Sequence, residues 1–240
     1  MRYLTFQLYG PLQSYGDVAV GELRPTRAMP TRSALCGLVA AALGIRRSDA
    51  ADLAGIRDGY DIGVAQVRAG SSLRDFHTVQ AASTGAKKTF YCRRDEMADS
   101  DVNTLVSFRD YLENAFFLVC LGERACAPHS LESVARALRR PRFTLFLGRK
   151  GCPPALPLHP VLKECSSMVE ALSAYESDAC VTGVLPSRGK AAVWRVESDT
   201  AWPLSEETIF VRDQAESHQR RQFALRAVHV MHMTAWRGEK

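Results

Sequence analysis

The stretch from Arg24 to Ile45 constrains the fold more than any other part of the chain. It begins with RPTRAMPTR, whose arginines and prolines cannot form a regular helix, and continues with the small, apolar run SALCGLVAAALGI. Pro30 suits the first turn of a helix, and Thr31 or Ser33 can cap the free N–H groups there. The residues from Ala34 to Leu43 therefore predict a helix that packs closely against a sheet.

This arrangement predicts that Arg24, Arg27 and Arg32 lie at the N-terminus of that helix. Backbone N–H groups and the helix dipole favour an anion at such a position, which makes the segment a candidate phosphate-binding site without a glycine-rich loop. The alternative is an exposed, arginine-bearing loop ahead of a core helix. The segment alone leaves both interpretations open.

The composition is that of an ordinary globular protein, with 46% hydrophobic and 24% charged residues. No apolar run approaches the roughly 20 residues needed to span a bilayer. The first ten residues alternate like a strand and lack the apolar core of a signal peptide, so we expect a cytoplasmic protein. The seven cysteines are scattered without a C-x-x-C pair, which argues against a zinc site or a disulfide framework.

The net charge of +5 is modest, but the basic residues are clustered. Two windows without acidic residues contain Arg139, Arg140, Arg142, Arg149 and Lys150 and, separately, Lys87, Lys88, Arg93 and Arg94. Such runs are often only solvated faces, but glycines and aromatics beside them favour nucleic-acid binding. The GRKG turn at 148–151 allows backbone N–H groups to approach a phosphate, or it is simply a turn.

Hydrophobic periodicity predicts a mixed order of strands and helices. The N-terminal part is predicted to contain a strand at 2–9, helices at 31–43 and 48–57 (capped by Ser48), a hairpin of strands 60–69 and 72–79 joined at Gly70, a polar arm from 81 to about 107, a buried strand at 115–121, a helix at 130–139 and a short strand at 143–147. The remainder predicts a helix near 166–176 and strands near 179–185, 191–197, 207–212 and 222–230. The first part approximates a β-α-β-β-α-β ferredoxin-like unit.

Four blocks in the right order make the chain resemble the Cas-five family of CRISPR-associated proteins, within the RAMP superfamily, and especially its type I-E (Cascade) members. The blocks are GPLQSYG (10–16), RPT…PTRSALCGLVAAALGI (24–45), LRDFHTV (73–79) and PRFTLFLGRKGCP (141–153). The resemblance implies an α+β fold. It comprises a ferredoxin-like RAMP domain at 1–150 with a thumb-like β-hairpin insertion at about 79–108, and a small C-terminal β-rich domain at 151–240.

The resemblance also implies a non-catalytic subunit that holds the 5′ handle of the crRNA in a Cascade surveillance complex. Expected partners are the backbone subunit at the 5′ end and the large subunit, with target DNA near the PAM-proximal end as a further candidate; no cofactor or metal is expected. Phe76 and Tyr91 are additional candidates for base stacking. The predicted RNA-binding residues are Gln13, Tyr15, Arg24, Thr26, Arg27, Arg32, Arg74, His77, Lys87, Lys88, Arg93, Arg94, Arg142, Arg149 and Lys150.

A metal-independent endoribonuclease is the alternative, because some type I-C relatives cleave RNA. Such chemistry needs a general base near a 2′-hydroxyl and a cation near the phosphorus. His77 with Lys87 or Lys88 and Tyr91 are the candidates, although a lone histidine in a strand is more often structural or RNA-contacting. One geometric prediction does not depend on the resemblance. The basic turns at 24–32 and 148–151 should converge on a single groove that holds the end of an RNA chain.

Overall fold

The computed structural model describes residues 1–82, 89–98, 102–176, 193–203, 205–217, 220 and 222–234. None of the helices in these ranges is long and apolar enough to cross a membrane. The elements in chain order are β1 (Arg2–Tyr9), β2 (Leu12–Gln13), β3 (Tyr15–Gly16), β4 (Leu23–Arg24), β5 (Thr26–Arg27), α1 (Arg32–Leu43), α2 (Ala50–Gly59), β6 (Tyr60–Arg68), β7 (Ser71–Ala82), α3 (Arg93–Met97), β8 (Val102–Glu113), β9 (Phe116–Glu123), α4 (Leu131–Arg139), β10 (Val161–Glu164), α5 (Met168–Ser173), β11 (Val193–Ser198), β12 (Glu207–Ser217) and β13 (Gln222–Thr234).

A mixed α/β architecture is built around a sheet in which seven described strands lie in the order β10-β1-β9-β6-β11-β13-β12. All neighbouring strands in this order are antiparallel. Strand β9, predicted from the run AFFLVCL, lies between β1 and β6, and its first seven residues are buried. The expectation of a strand buried on both faces is therefore confirmed.

Helices cover both faces of this sheet. One core contains Leu4, Phe6 and Leu8 of β1 together with buried residues of α1, α2 and α4. The other contains alternate residues of β9, the buried residues of α5, Trp194 and Val196 of β11, and Met231 and Met233 of β13. Helix α1 is capped by Thr31, whose Oγ1 accepts from the N–H of Ala34 at 3.3 Å, as the sequence predicted. The predicted cap of α2 is wrong, because no side chain caps that helix and Asp49, not Ser48, occupies the N-cap.

The predicted hairpin of strands 60–69 and 72–79 is wrong, because β6 and β7 belong to different sheets. Strand β7 pairs instead with β8 over twelve residues each, from Ser71 opposite Glu113 to Ala82 opposite Val102. Gly70 marks the exit from the main sheet; it has φ +72°, and a Cβ there would overlap the carbonyl oxygen of Glu113. The arm predicted between 81 and 107 is thus a hairpin that begins ten residues earlier and ends six residues later.

The segment 143–147 is not a strand, contrary to prediction. Its backbone is held by Ala41 and Ser14, because Phe143 donates to the Ala41 carbonyl at 3.2 Å and the Leu147 carbonyl accepts from Ser14 at 3.0 Å. The edge position beside β1 is taken by β10 instead.

The C-terminal strands β11, β13 and β12 extend the main sheet from its β6 edge. The predicted strands at 191–197, 207–212 and 222–230 correspond to these elements, and the predicted strand at 179–185 lies outside the described residues. The sheet is continuous across residue 150, and the division into domains 1–150 and 151–240 stays a prediction.

Candidate nucleic-acid interface

The two basic turns that the sequence singled out are in direct contact. Gly148 has φ +90°, and a Cβ there would overlap the carbonyl oxygen of Ser14, so only glycine lets the turn approach this closely. Arg149 then donates from Nη2 to the carbonyl oxygen of Arg24 at 2.7 Å. The predicted convergence of the turns at 24–32 and 148–151 is confirmed as a contact.

The guanidinium of Arg149 is only half-exposed and already has protein partners. Its Nη1 donates to the carbonyl oxygen of Asp110 at 3.1 Å, and its carbon lies 4.7 Å from the ring centroid of Tyr111. Lys150, the next residue, is exposed. The two cations of the GRKG turn therefore differ: Arg149 faces the protein and Lys150 faces solvent.

The turn at 24–27 carries two arginines whose side chains contact nearby parts of the same loop region. Arg24 is exposed, and its Nη1 donates to the carbonyl oxygens of Gly21 and Leu23 within its own loop. Arg27 lies 4.0 Å from the carboxylate of Asp17. The hydroxyl of Thr26 accepts the backbone N–H of Tyr15 at 2.8 Å, so it holds β3 against β5 rather than facing outward.

Arg32 does not face solvent, and its assignment as a phosphate ligand is corrected. Its side chain is only 5% exposed and forms an ion pair with Asp199. It also donates from Nη2 to the carbonyl oxygen of Tyr60 at 2.9 Å. Burial lowers the pKa of this guanidinium, and its charge is compensated inside the protein.

The N-terminus of α1 already holds an anion from the protein itself. The Oδ2 of Asp213 accepts the backbone N–H of Arg32 at 2.7 Å, and its two oxygens accept from Arg226 at 2.6 and 3.0 Å. Arg226 also donates to Asp199 at 2.6 Å. We call Arg32, Asp199, Asp213 and Arg226 the buried ionic cluster. Because a carboxylate occupies the position favoured by the helix dipole, no phosphate can bind there in this conformation.

Gln13 and Tyr15 are also placed inside the protein, which corrects their assignment as base-contacting residues. Gln13 is fully buried, donates from Nε2 to the carbonyl oxygen of Ala115 at 2.6 Å, and accepts from the hydroxyl of Tyr15 at 2.7 Å. The ring of Tyr15 lies edge-on to Phe117, and burial raises the pKa of its hydroxyl. Neither side chain offers a surface on which a base can stack.

The hairpin carries ion pairs and an aromatic pair on one face. Arg74 is bonded to the carboxylate of Asp110 at 2.7 and 3.0 Å, which lowers the pKa of that carboxyl group. Two residues further along the same face, the rings of the cross-strand pair Phe76 and Phe108 are 5.5 Å apart, and Phe76 is 58% exposed. This face therefore offers an aromatic side chain beside a neutralised cation.

Other predicted residues lie further along the arm. His77 pairs through Nε2 with Asp75 at 2.6 Å, and Arg93 pairs with Glu96 at 2.5 Å. Arg94 is exposed and Tyr91 is 92% exposed. Lys87 and Lys88 lie outside the described residues, so the His77–Lys87–Tyr91 constellation stays a prediction.

A groove of about 1360 Å³ joins the two basic turns to α1. Its walls include Thr31 from the first turn and Gly148 and Arg149 from the second, so both turns line it. Arg24, Arg27 and the exposed Arg142 are not part of its lining. The groove is also lined by residues that were not among the predicted RNA-binding residues, namely Ser33, Gly37, Arg47, Phe143, Arg212 and Phe223.

No group of three or more His, Cys, Asp or Glu side chains within the described ranges is arranged to hold a metal ion. Five residues that the sequence did not indicate hold the functional side chains and turns in place through hydrogen bonds, ion pairs or ring contacts. They are Ser14, Tyr111, Asp199, Asp213 and Arg226. Their contacts join segments far apart in the chain, so no local pattern marks them.

Comparison with known proteins identifies the family. The model of the CRISPR-associated protein family Cas_Cas5 matches residues 3–229. CRISPR system Cascade subunit CasD of Escherichia coli (strain K12) is 32% identical over 196 residues, covering 75% of this chain and 83% of that protein.

Two solved structures share the fold. A chain of a CRISPR RNA-guided surveillance complex has a TM-score of 0.69 at 24% identity and covers 97% of this chain and 90% of its own. A Cas protein crystal structure has a TM-score of 0.60 at 29% identity and covers 97% and 94%. With a family match over nearly the whole chain, this protein belongs to the Cas5 family of CRISPR-associated proteins.

Proposed function

We propose that this chain is a non-catalytic, crRNA-binding subunit of a type I-E Cascade complex and holds the 5′ handle of the crRNA. The identity to a Cascade subunit supports this assignment. The observation that carries it is the contact of the two basic turns through Arg149 and Arg24, beside the base of the β7–β8 hairpin. A surface built this way can fix one end of a single-stranded RNA by phosphate contacts while unstacked bases meet aromatic side chains.

The cations available for phosphate are those that face solvent. Lys150, Arg24 and Arg142 are exposed, and Arg27 is only loosely paired, with 4.0 Å to its nearest carboxylate. Phe76 supplies an exposed ring on the adjacent hairpin. Stacking of one base on such a ring contributes about 1–3 kcal/mol, and phosphate contacts contribute the salt-dependent part of the affinity.

The same proposal extends to the architecture. The strand order β10-β1-β9-β6, all antiparallel, with α1 and α4 on one face, supports a ferredoxin-like RAMP unit. The β7–β8 hairpin corresponds in this scheme to the thumb insertion, and β11–β13 to the C-terminal β-rich part.

The expected partners follow from membership of such a complex. We propose contacts with the backbone subunit at the 5′ end and with the large subunit, with target DNA near the PAM-proximal end as a third candidate. The complex is proposed to act in the cytoplasm, in antiviral defence.

Co-expression with the other subunits and a CRISPR array tests the proposal. We expect the purified complex to contain this chain and a short RNA with one defined 5′ end, as read by sequencing. A double variant Arg27→Ala/Lys150→Ala should lower RNA retention. Arg124→Ala is the control. Arg124 directly follows the C-terminal end of β9, whereas the segment at 13–14, which the turn at 148–151 contacts, is bonded to the residue before the N-terminal end of that strand, and Arg124 is paired with Asp61. Recovery of the wild-type chain without RNA contradicts the proposal.

The alternative function is a metal-independent endoribonuclease that processes precursor crRNA. The observation that favours it is the 2.6 Å contact between His77 Nε2 and the carboxylate of Asp75, since a neighbouring carboxylate is a group that can orient a catalytic histidine. Incubation of the chain with a repeat hairpin RNA in EDTA distinguishes the two functions. Specific cleavage that is lost in His77→Ala supports the enzyme, and intact RNA supports the binding subunit.

A further inference from the structure

Arg149 contacts two separate segments where the hairpin joins the body of the protein. We define the hairpin root as residues 71–75 and 109–113. The guanidinium donates to the carbonyl oxygen of Asp110 at 3.1 Å and stacks on the ring of Tyr111 at 4.7 Å, both in the root. It also donates to the carbonyl oxygen of Arg24 at 2.7 Å, in the loop that precedes α1.

Leu112 of the root is buried in the core that contains α1, and the backbone attachments of the root to the body are short. Strands β2 and β4, which pair with β8 at or directly beside the root, are only two residues long. The hydroxyl of Ser14 adds one hydrogen bond to the Asp110 carbonyl at 2.9 Å. Beyond the root, most residues of β7 are exposed. Because the backbone attachments at its base are short, the direction of a hairpin with two twelve-residue strands depends strongly on each polar contact there.

The chemistry of the contact requires arginine. Two carbonyl oxygens are bonded by two different nitrogens of one planar guanidinium, while its flat face covers the tyrosine ring. A lysine carries the same charge but lacks both the planar fork and the face that stacks.

We propose that Arg149 is a positioning residue that sets the direction of the β7–β8 hairpin relative to the basic turns, and that it does not bind phosphate. The hairpin is thereby held at a fixed angle to the surface that carries Lys150 and Arg24. The part of this inference that concerns RNA rests on the proposed function; the part that concerns the hairpin does not.

Hydrogen exchange of three variants of the full chain tests the structural part. In Arg149→Ala and Arg149→Lys, amides of the root should exchange about 10- to 150-fold faster, the range for loss of hydrogen bonds to a charged group. Amides of β9 should keep wild-type rates, which excludes global destabilisation. Lys150→Ala is the matched control from the same turn and should leave the root unchanged. Wild-type exchange at the root in Arg149→Ala overturns the proposal.

RNA binding at several salt concentrations tests the second part. Lys150→Ala should reduce the slope of log K against log salt by about 0.7, the value for one phosphate of a single strand. Arg149→Lys should keep the wild-type slope but lose photocrosslinks between the RNA and the hairpin. If Arg149→Ala lowers the slope by about 0.7 and Arg149→Lys restores both slope and crosslinks, Arg149 is a phosphate ligand and the proposal is wrong. If the wild-type chain binds no RNA, the proposed function fails, while the exchange rates still decide the role of Arg149.

Discussion

Replacement of Asp213 by asparagine tests the buried ionic cluster. The side chain is 5% exposed and compensates two arginines whose own side chains are 5% and 15% exposed. In Asp213→Asn one negative charge disappears from the cluster of Arg32, Arg226, Asp199 and Asp213. Two buried guanidiniums then share the single carboxylate of Asp199, so one positive charge is left uncompensated.

The expected loss of stability is large. Removal of one partner from a buried ion pair costs about 3–5 kcal/mol, because the remaining charge is desolvated without compensation. The total free energy of unfolding of a typical protein is only about 5–15 kcal/mol. The same substitution also removes the anion at the N-terminus of α1, where Asp213 accepts the N–H of Arg32. Both effects lower the free energy of unfolding.

Urea denaturation measures this difference. With a slope of about 3 kcal/mol per molar, the midpoint should fall by about 1–1.7 M. The control is Asp58→Asn, which breaks an equally short Arg–Asp pair with 2.6 and 2.7 Å contacts to Arg57. The Asp58 side chain is 52% exposed, so its loss should cost at most about 1 kcal/mol.

Two results would refute the reasoning. The first is an Asp213→Asn midpoint equal to that of the Asp58→Asn control. The second comes from Asp213→Asn/Arg226→Met, which removes one charge of each sign and leaves Arg32 paired with Asp199. This double variant should be more stable than Asp213→Asn alone, because the uncompensated charge is gone. If it is less stable by the sum of the single effects, charge compensation is not what holds the cluster.

Three further outcomes follow from the same structure. Gly148→Ala should lower the free energy of unfolding by at least about 1–2 kcal/mol, because φ is +90° and the added Cβ would overlap a backbone carbonyl. The control is Gly151→Ala, because an added Cβ there has open space around it. Equal thermal midpoints for the two variants would contradict the argument. The pKa of Asp110 is lowered in the folded chain by its hydrogen bonds to Arg74. The stability difference between wild type and Asp110→Asn should therefore be constant above about pH 5 and shrink as the pH falls below about 4. A difference that grows as the pH falls would contradict this argument. Replacement of residues 78–106 by Asn-Gly should change the stability of the main sheet by no more than about 1 kcal/mol and impair RNA retention, as measured by urea titration and co-purification, whereas loss of the folded sheet would show that the hairpin is part of the core.

The periodic segments were predictable because their signals are local. The alternation of β1, the apolar run of β9 and the helical spacing of α4 each lie within about a dozen residues, the range over which side-chain periodicity specifies an element. The caps Thr31 and Ser130 are equally local, since each accepts an N–H three residues ahead. The errors at 143–147 and at Gly70 concern pairing, which depends on segments remote in the chain.

The predicted placement of the basic residues was likewise correct where it depended on neighbouring residues and wrong where it depended on distant ones. Arginines together with prolines at 24–32, and basic residues flanked by glycines at 148–151, were enough to select the two turns, which do meet. It was not enough to tell which cations face solvent. The guanidinium of Arg32 is buried in an ion pair with Asp199, a residue remote in the chain, and that of Arg149 packs against the root of the hairpin.

By itself, the sequence determined the family, the main strands and helices, and the two basic turns, because each of these depends on residues that are neighbours in the chain. Only the tertiary structure decided the order of the strands and the roles of the arginines. A guanidinium binds whichever carboxylate, carbonyl or aromatic ring folding brings within reach, and those partners come from distant segments. The same residue type therefore forms a buried ion pair at position 32, contacts the root of the hairpin at position 149 and faces solvent at position 24.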